Sequence, residues 1–225
     1  TCVTCGCTVP LNGKPGLLDS VVNSSESHEM LYGVGRMAER NGKTEKAIEA
    51  YQSILATNPK HVGSMHRLGV IEAKRGNVDK AMSWLENAAT QEEPTAQLLG
   101  DIGYVCYLLG DLGAAEQMLE KGLQMKPGDA RMTNNLAIVV GSKQEYEEAM
   151  SLFRQNGTEA ESLASVAYIQ SQFGHIDTAK KNYLKSLELD SKLDVAANGL
   201  IELNHTPARI APVKTDDVPK IELAI

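Results

Sequence analysis

Aromatic residues are scarce. Seven Tyr, two Phe and one Trp make up 4% of a 225-residue chain, so each position they occupy is informative. No apolar run approaches the roughly 20 residues of a membrane span. The formal net charge is −7 and no Lys- or Arg-rich patch appears. Phosphate neutralisation needs clustered cations, so the composition argues against a nucleic-acid partner. Catalytic patterns are missing too. The histidines His28, His61, His66, His175 and His205 are scattered, with no Ser/His/Asp, Cys/His or paired-carboxylate arrangement. There is no G-x-x-x-x-G-K-[ST] and no strand-linked G-x-G-x-x-G. The G-x-G of "GVGRMAERNG" falls in a helical pattern and reads as packing. These gaps point away from an enzyme, a cofactor or a metal.

Cysteine is also sparse. Cys106 stands alone in the register of a packed helix residue and reads as a small buried side chain. Cys2, Cys5 and Cys7 cluster at the start, in "TCVTCGC", where no basic and apolar leader is visible. No fourth His or Cys lies near enough to complete a soft-metal set. A lipidated start, a disulfide and unmodified thiols all stay open for this cluster.

What the chain does contain is a repeat. Gly42, Gly76 and Gly110 are spaced by 34, as are Gly35, Gly69, Gly103 and Ala137. Ala47, Ala81, Ala115 and Ala149 keep the same step, and so do Tyr51, Leu85, Leu119 and Phe153. A further unit adds Ala167, Gly174, Ala179 and Tyr183, offset by 30. The chemistry of each position is coherent. Small residues allow two helices to approach closely. The turn glycines end a helix in the left-handed conformation. The large apolar residues fill the space between hairpins, and Pro59, Pro94 and Pro127 stop the second helix. Each unit is therefore helix, tight turn, helix. A single hairpin cannot bury its apolar face, so the hairpins must stack.

A 34-residue period with these residues at these offsets resembles the tetratricopeptide repeat. The resemblance implies an all-α fold, a right-handed superhelix of stacked hairpins. Its units are 28–61, 62–95, 96–129, 130–159 and 160–193, followed by a cap helix at 194–204. Two departures stand out in the fourth unit. Gln144 replaces the turn glycine, and the second helix is cut short at "FRQNGTEAES". The stretch "NNLAIVVGSKQEYEEAMSLFRQNGTEAESLASVAYIQSQFG" is also similar to tetratricopeptide lipoproteins of bacterial tight-adherence pilus and secretion systems. Residues 1–27 lie outside the period, with "GLLDSVV" as a short helix capping the first unit. Residues 205–225 carry three prolines and read as an extended tail, with docking of the terminal "IELAI" as the sharper alternative.

The family resemblance also implies where function resides. First helices line a concave face, and fixed offsets point into it. Those offsets select Tyr32, Arg36, His66, Val70, Tyr104, Tyr107, Asn134, Ile138 and Tyr168 as a protein-binding groove. Arg131 falls on the same face. Tyr suits such a surface because its ring buries area while its hydroxyl stays satisfied. Asn134 is suited to bonding a peptide backbone. Asp101 stands where a carboxylate clamp would need a cation, and it would repel a C-terminal carboxylate. The reading is a non-catalytic scaffold that binds a peptide or protein segment without a cofactor. Its expected setting is a bacterial secretion, pilus or envelope assembly, with a cytoplasmic location as the alternative. The rival reading is a purely structural or oligomerisation module.

Overall fold

The computed structural model describes residues 25–205. The N-terminal cysteine cluster, "GLLDSVV" and nearly all of the tail lie outside them. The described residues form eleven helices and no strand: α1 Ser25–Arg40, α2 Thr44–Thr57, α3 Val62–Lys74, α4 Val78–Gln91, α5 Ala96–Leu108, α6 Leu112–Met125, α7 Ala130–Ser142, α8 Tyr146–Phe153, α9 Glu159–Gln172, α10 Ile176–Leu189 and α11 Asp194–His205. They fall into two compact units, divided inside α3 between Ser64 and Met65.

The period becomes packing in both units. In the first, α1 lies against α2 at Gly35, where a Cβ would sit 2.6 Å from the Tyr51 ring. Tyr51, Ala47 and Ile54 are fully buried beneath it. In the second, Gly69 meets Leu85 and Gly103 meets Leu119 in the same way. Each second helix there then packs on the first helix that follows: α4 on α5, α6 on α7, α8 on α9 and α10 on α11. Cys106 is buried, as its register suggests, and burial pushes its thiol up to about 11, with Asp111 and Glu86 adding to the rise.

The turns show why one residue type recurs. At the end of α5, Gly110 has φ +83°, its N–H donates to Tyr107 O, and the next N–H donates to Cys106 O, each at 3.0 Å. That pattern closes a helix only if one residue turns left-handed. Gln144 adopts φ +68° and makes the same two closures, Gln144 N to Gly141 O and Glu145 N to Val140 O. The hairpin geometry therefore prevails over the local preference of Gln.

The fourth hairpin departs further. α8 has 8 residues, while α2, α4, α6 and α10 each have 14. At 1.5 Å per residue the missing turn and a half is about 9 Å of helix. A tight connection replaces it. Gly157 N donates to Phe153 O at 3.0 Å, and the Arg154 guanidinium grips both Glu159 oxygens, at 2.5 and 2.7 Å. A capping box then starts α9: Thr158 Oγ1 accepts from Glu161 N, and Thr158 N donates to Glu161 Oε2.

Candidate protein-binding groove

The truncation of α8 leaves a trough in the second unit. α9 packs beside both α7 and α11, and Phe153, the last residue of α8, lines the space beside them with Val195 of α11. Two cavities adjoin here, of about 310 and 340 Å³. Both are lined by Phe153, Ala164, Ser165 and Val195, so they form one continuous surface. The first extends to Asn134, Asn156, Gly157 and Glu161 and is rich in hydrogen-bonding groups. The second extends to Ile138, Tyr168 and Ile169 and is apolar.

Local structure sets the character of each end. Asn134 and Ile138 are one turn apart on α7 and share a face. Asn156 Nδ2 donates to Ala130 O and Asn134 Oδ1, both at 3.4 Å, so the polar end is held by long, exposed hydrogen bonds. At the apolar end, Tyr168 is half-buried against Ala164, Ala167, Tyr183 and Ala196. Val195, at the start of α11, is 63% exposed. Such a trough offers amide and carboxylate groups for a backbone beside a pocket for a large apolar side chain.

Three residues expected in a groove are instead interior. Val70 is 3% exposed, Tyr104 8% and Tyr107 1%. For the two tyrosines the reason is the place of α5. It packs against α4, α6 and α7, and ten consecutive residues, Leu98–Tyr107, are buried. An offset that faces open space elsewhere faces protein here. Tyr32 and Arg36 belong to the first unit and are both half-buried. The Tyr32 ring lies 5.6 Å from Tyr51 and 5.5 Å from His61, tilted against each. Thus Asn134, Ile138 and Tyr168 are brought together, whereas Val70, Tyr104 and Tyr107 are core.

His66 has a different task. Its Nε2 lies 2.7 Å from Asp101 Oδ2, and Arg131 Nη1 donates to Asp101 Oδ1 at 2.5 Å. Asp101 is only 2% exposed. Burial alone would raise its pKa, but the His66 hydrogen bond and the Arg131 charge outweigh burial and hold it below the usual value. An ionised carboxylate only accepts, so His66 Nε2 carries the proton of that hydrogen bond. Asp101 is therefore not a surface charge that repels a ligand carboxylate. It ties α3, α5 and α7 together across successive repeats. Among the described residues no three His, Cys, Asp or Glu side chains converge as a metal set, and no helix is long and apolar enough to cross a membrane.

Phe153 and Val195 were absent from the residues selected by sequence. Phe153 occupies a core offset and Val195 lies in a cap helix. The signal that could have found them was the shortened helix, since an uncovered neighbour must exist wherever a repeat loses a turn and a half.

Comparison with known proteins agrees with this architecture. Tetratricopeptide repeat models match residues 17–62, 32–97, 96–129 and 160–193. Human tetratricopeptide repeat protein 7A is 30% identical over 100 residues, 44% of this chain. The match spans only 12% of that relative's length. The crystal structure of YrrB, described as a TPR protein with an unusual peptide-binding site, covers 82% of this chain and 98% of its own at 12% identity and TM-score 0.61. MamA from Desulfovibrio magneticus RS-1 covers 74% of this chain and 97% of its own at 17% identity and TM-score 0.61. At those identities the two structures speak to the fold alone. With the repeat register, the hairpin packing and the matching models in agreement, the chain belongs to the tetratricopeptide repeat family.

Proposed function

We propose that this protein is a non-catalytic scaffold that holds a peptide or protein segment in the trough between α7, α9 and α11. The observation that carries the reading is the continuous surface opened by the short α8, polar around Asn134 and Asn156 and apolar around Ile138 and Tyr168. A ligand segment lays its backbone against the asparagines and seats one large apolar side chain beside Tyr168. YrrB, which shares the fold, is described with a peptide-binding site, and this supports the class of ligand. Within this proposal the setting is a bacterial secretion, pilus or envelope assembly, supported by the likeness of residues 134–174 to tight-adherence lipoproteins. Fractionation of the source cells tests that setting; recovery only in the cytosol refutes it.

The trough itself is tested by Val195→Asp. Val195 is exposed, so the change should alter stability by no more than about 0.5 kcal/mol, yet it places a charge beside the apolar anchor. Peptides selected on the full chain from a random display library should bind Val195→Asp at least tenfold more weakly, about 1.4 kcal/mol, at an unchanged melting temperature. Selected peptides that bind the variant as tightly as the parent would show that recognition lies elsewhere.

A further inference from the structure

The trough between α7, α9 and α11 carries charge of one sign. On those helices and the connection 154–158, the Lys and Arg residues are Arg131 and Arg154 alone. Each is already held by a carboxylate. Arg131 Nη1 donates to Asp101 Oδ1, and Arg154 donates to both oxygens of Glu159. Arg154 and Glu159 line a separate cavity together with Lys185, and none of the three lines the trough. Among the residues that do line it, the one with a formal charge is Glu161.

Glu161 is positioned but not saturated. It is exposed, and its Oε2 accepts from Thr158 N at 2.8 Å and from Thr158 Oγ1 at 3.0 Å. Oε1 takes no part in that cap, so it can receive an N–H donor from a ligand. The turn into α11 has the same sign. Its Lys192 is bracketed by Asp190 and Asp194, on either side of the lining residue Leu193. The chain as a whole carries −7, a field that draws cationic segments in and turns acidic ones away.

The apolar end fixes the spacing. Glu161 lines the first cavity and Tyr168 the second. They are two turns apart on α9, about 10.5 Å along its axis. An extended chain advances about 3.3 Å per residue, so about three residues cover that distance.

We infer that the trough selects a basic segment, one that sets a Lys or Arg on Glu161 and a large apolar side chain beside Tyr168, about three residues further along an extended backbone. This rests on the proposed role of the trough and adds a charge and a spacing to its ligand. An acidic segment or a terminal carboxylate finds no cation among the lining residues to receive it.

Peptides selected on the full chain from a random display library are the probe. They should be enriched in Lys or Arg about three residues from a large apolar side chain. Replacing that cation by Gln should weaken binding about two- to fivefold at low salt, the range of an exposed ion pair. Glu161→Gln should weaken the unaltered peptide equally, at an unchanged melting temperature, because Gln also completes a capping box. The two changes together should cost no more than either alone, and about 0.5 M salt should erase the difference. Val195→Trp, which fills the trough without altering its charge, separates the two ways of failing. Peptides that lose Val195→Trp but show no basic enrichment, or bind Glu161→Gln as tightly as the parent, overturn this inference and leave the trough standing. Peptides that bind Val195→Trp as tightly as the parent overturn the trough, and this inference with it.

Discussion

Gly103 and Gly33 are both helical glycines, and the same change to alanine or leucine should move stability in opposite directions. At Gly103 a Cβ would lie 2.8 Å from Leu119 Cγ and 3.0 Å from the Ala115 carbonyl oxygen. The second contact is with backbone, so relief requires α5 and α6 to separate. Overpacking of this kind costs typically 1–3 kcal/mol, occasionally more. The better helix propensity of the new residue returns only about 1 kcal/mol. Gly103→Leu, which adds a whole side chain to that gap, should therefore destabilise by roughly 2–4 kcal/mol. For a domain of this size that lowers the melting temperature by roughly 5–15 °C. At Gly33 a Cβ meets nothing within 4 Å, and the site is exposed. Gly33→Ala should stabilise by about 0.5–1 kcal/mol through propensity and the unfolded state. Thermal unfolding followed by circular dichroism measures both. If Gly103→Leu melts with or above the parent, the close approach of α5 and α6 is wrong, and with it the register that places every other hairpin.

Three further outcomes follow from single side chains. Gln144→Gly removes a left-handed Cβ worth about 1–2 kcal/mol of strain at the loss of an exposed 3.1 Å hydrogen bond with His175; chemical denaturation should show a net gain of about 0.5–1 kcal/mol. Tyr107→Ala, at a residue 1% exposed, should cost roughly 3–5 kcal/mol, which urea unfolding would register as a large fall in midpoint. Asp101 has a depressed folded pKa, so its pairing stabilises fully above the unfolded carboxylate value near about 3.9 and loses that contribution as pH falls through the lower folded value. Acid titration should therefore narrow the stability gap between the parent and Asp101→Asn below about pH 4; a gap that stays constant to pH 2 would refute the pairing.

The fold was legible because its information is redundant. Each helix boundary is signalled several times over, by a turn glycine, a close-approach alanine and a large apolar filler, so that even Gln144 at a glycine position did not mislead. The groove was legible only in part. Offsets that define an inward face assume every first helix has the same surroundings. That holds for α7 and α9, where Ile138 and Tyr168 remain half-buried, and fails for α5, where Tyr104 and Tyr107 are enclosed. The single-residue pattern also treats His66, Asp101 and Arg131 as independent. Their partnership spans sequence separations of 35 and 30 residues, and it becomes visible only when three first helices are laid side by side.

Regular repeats make equivalent surfaces, and equivalent surfaces cannot by themselves tell a ligand where to bind. Gly35, Gly69 and Gly103 face Tyr51, Leu85 and Leu119 at nearly the same close distance, and the second helices of those units have the same length. The fourth unit gives up its full second helix and its turn glycine together. Losing six residues of α8 reduces the apolar area that the array buries, and a selection for stability alone would restore them. What the array gains is a trough lined by Phe153, Ala164 and Val195, with a polar connection, 154–158, at its edge. The stability conferred by the regular hairpins offsets the loss, and beside the irregular one two exposed asparagines, Asn134 and Asn156, adjoin an apolar pocket.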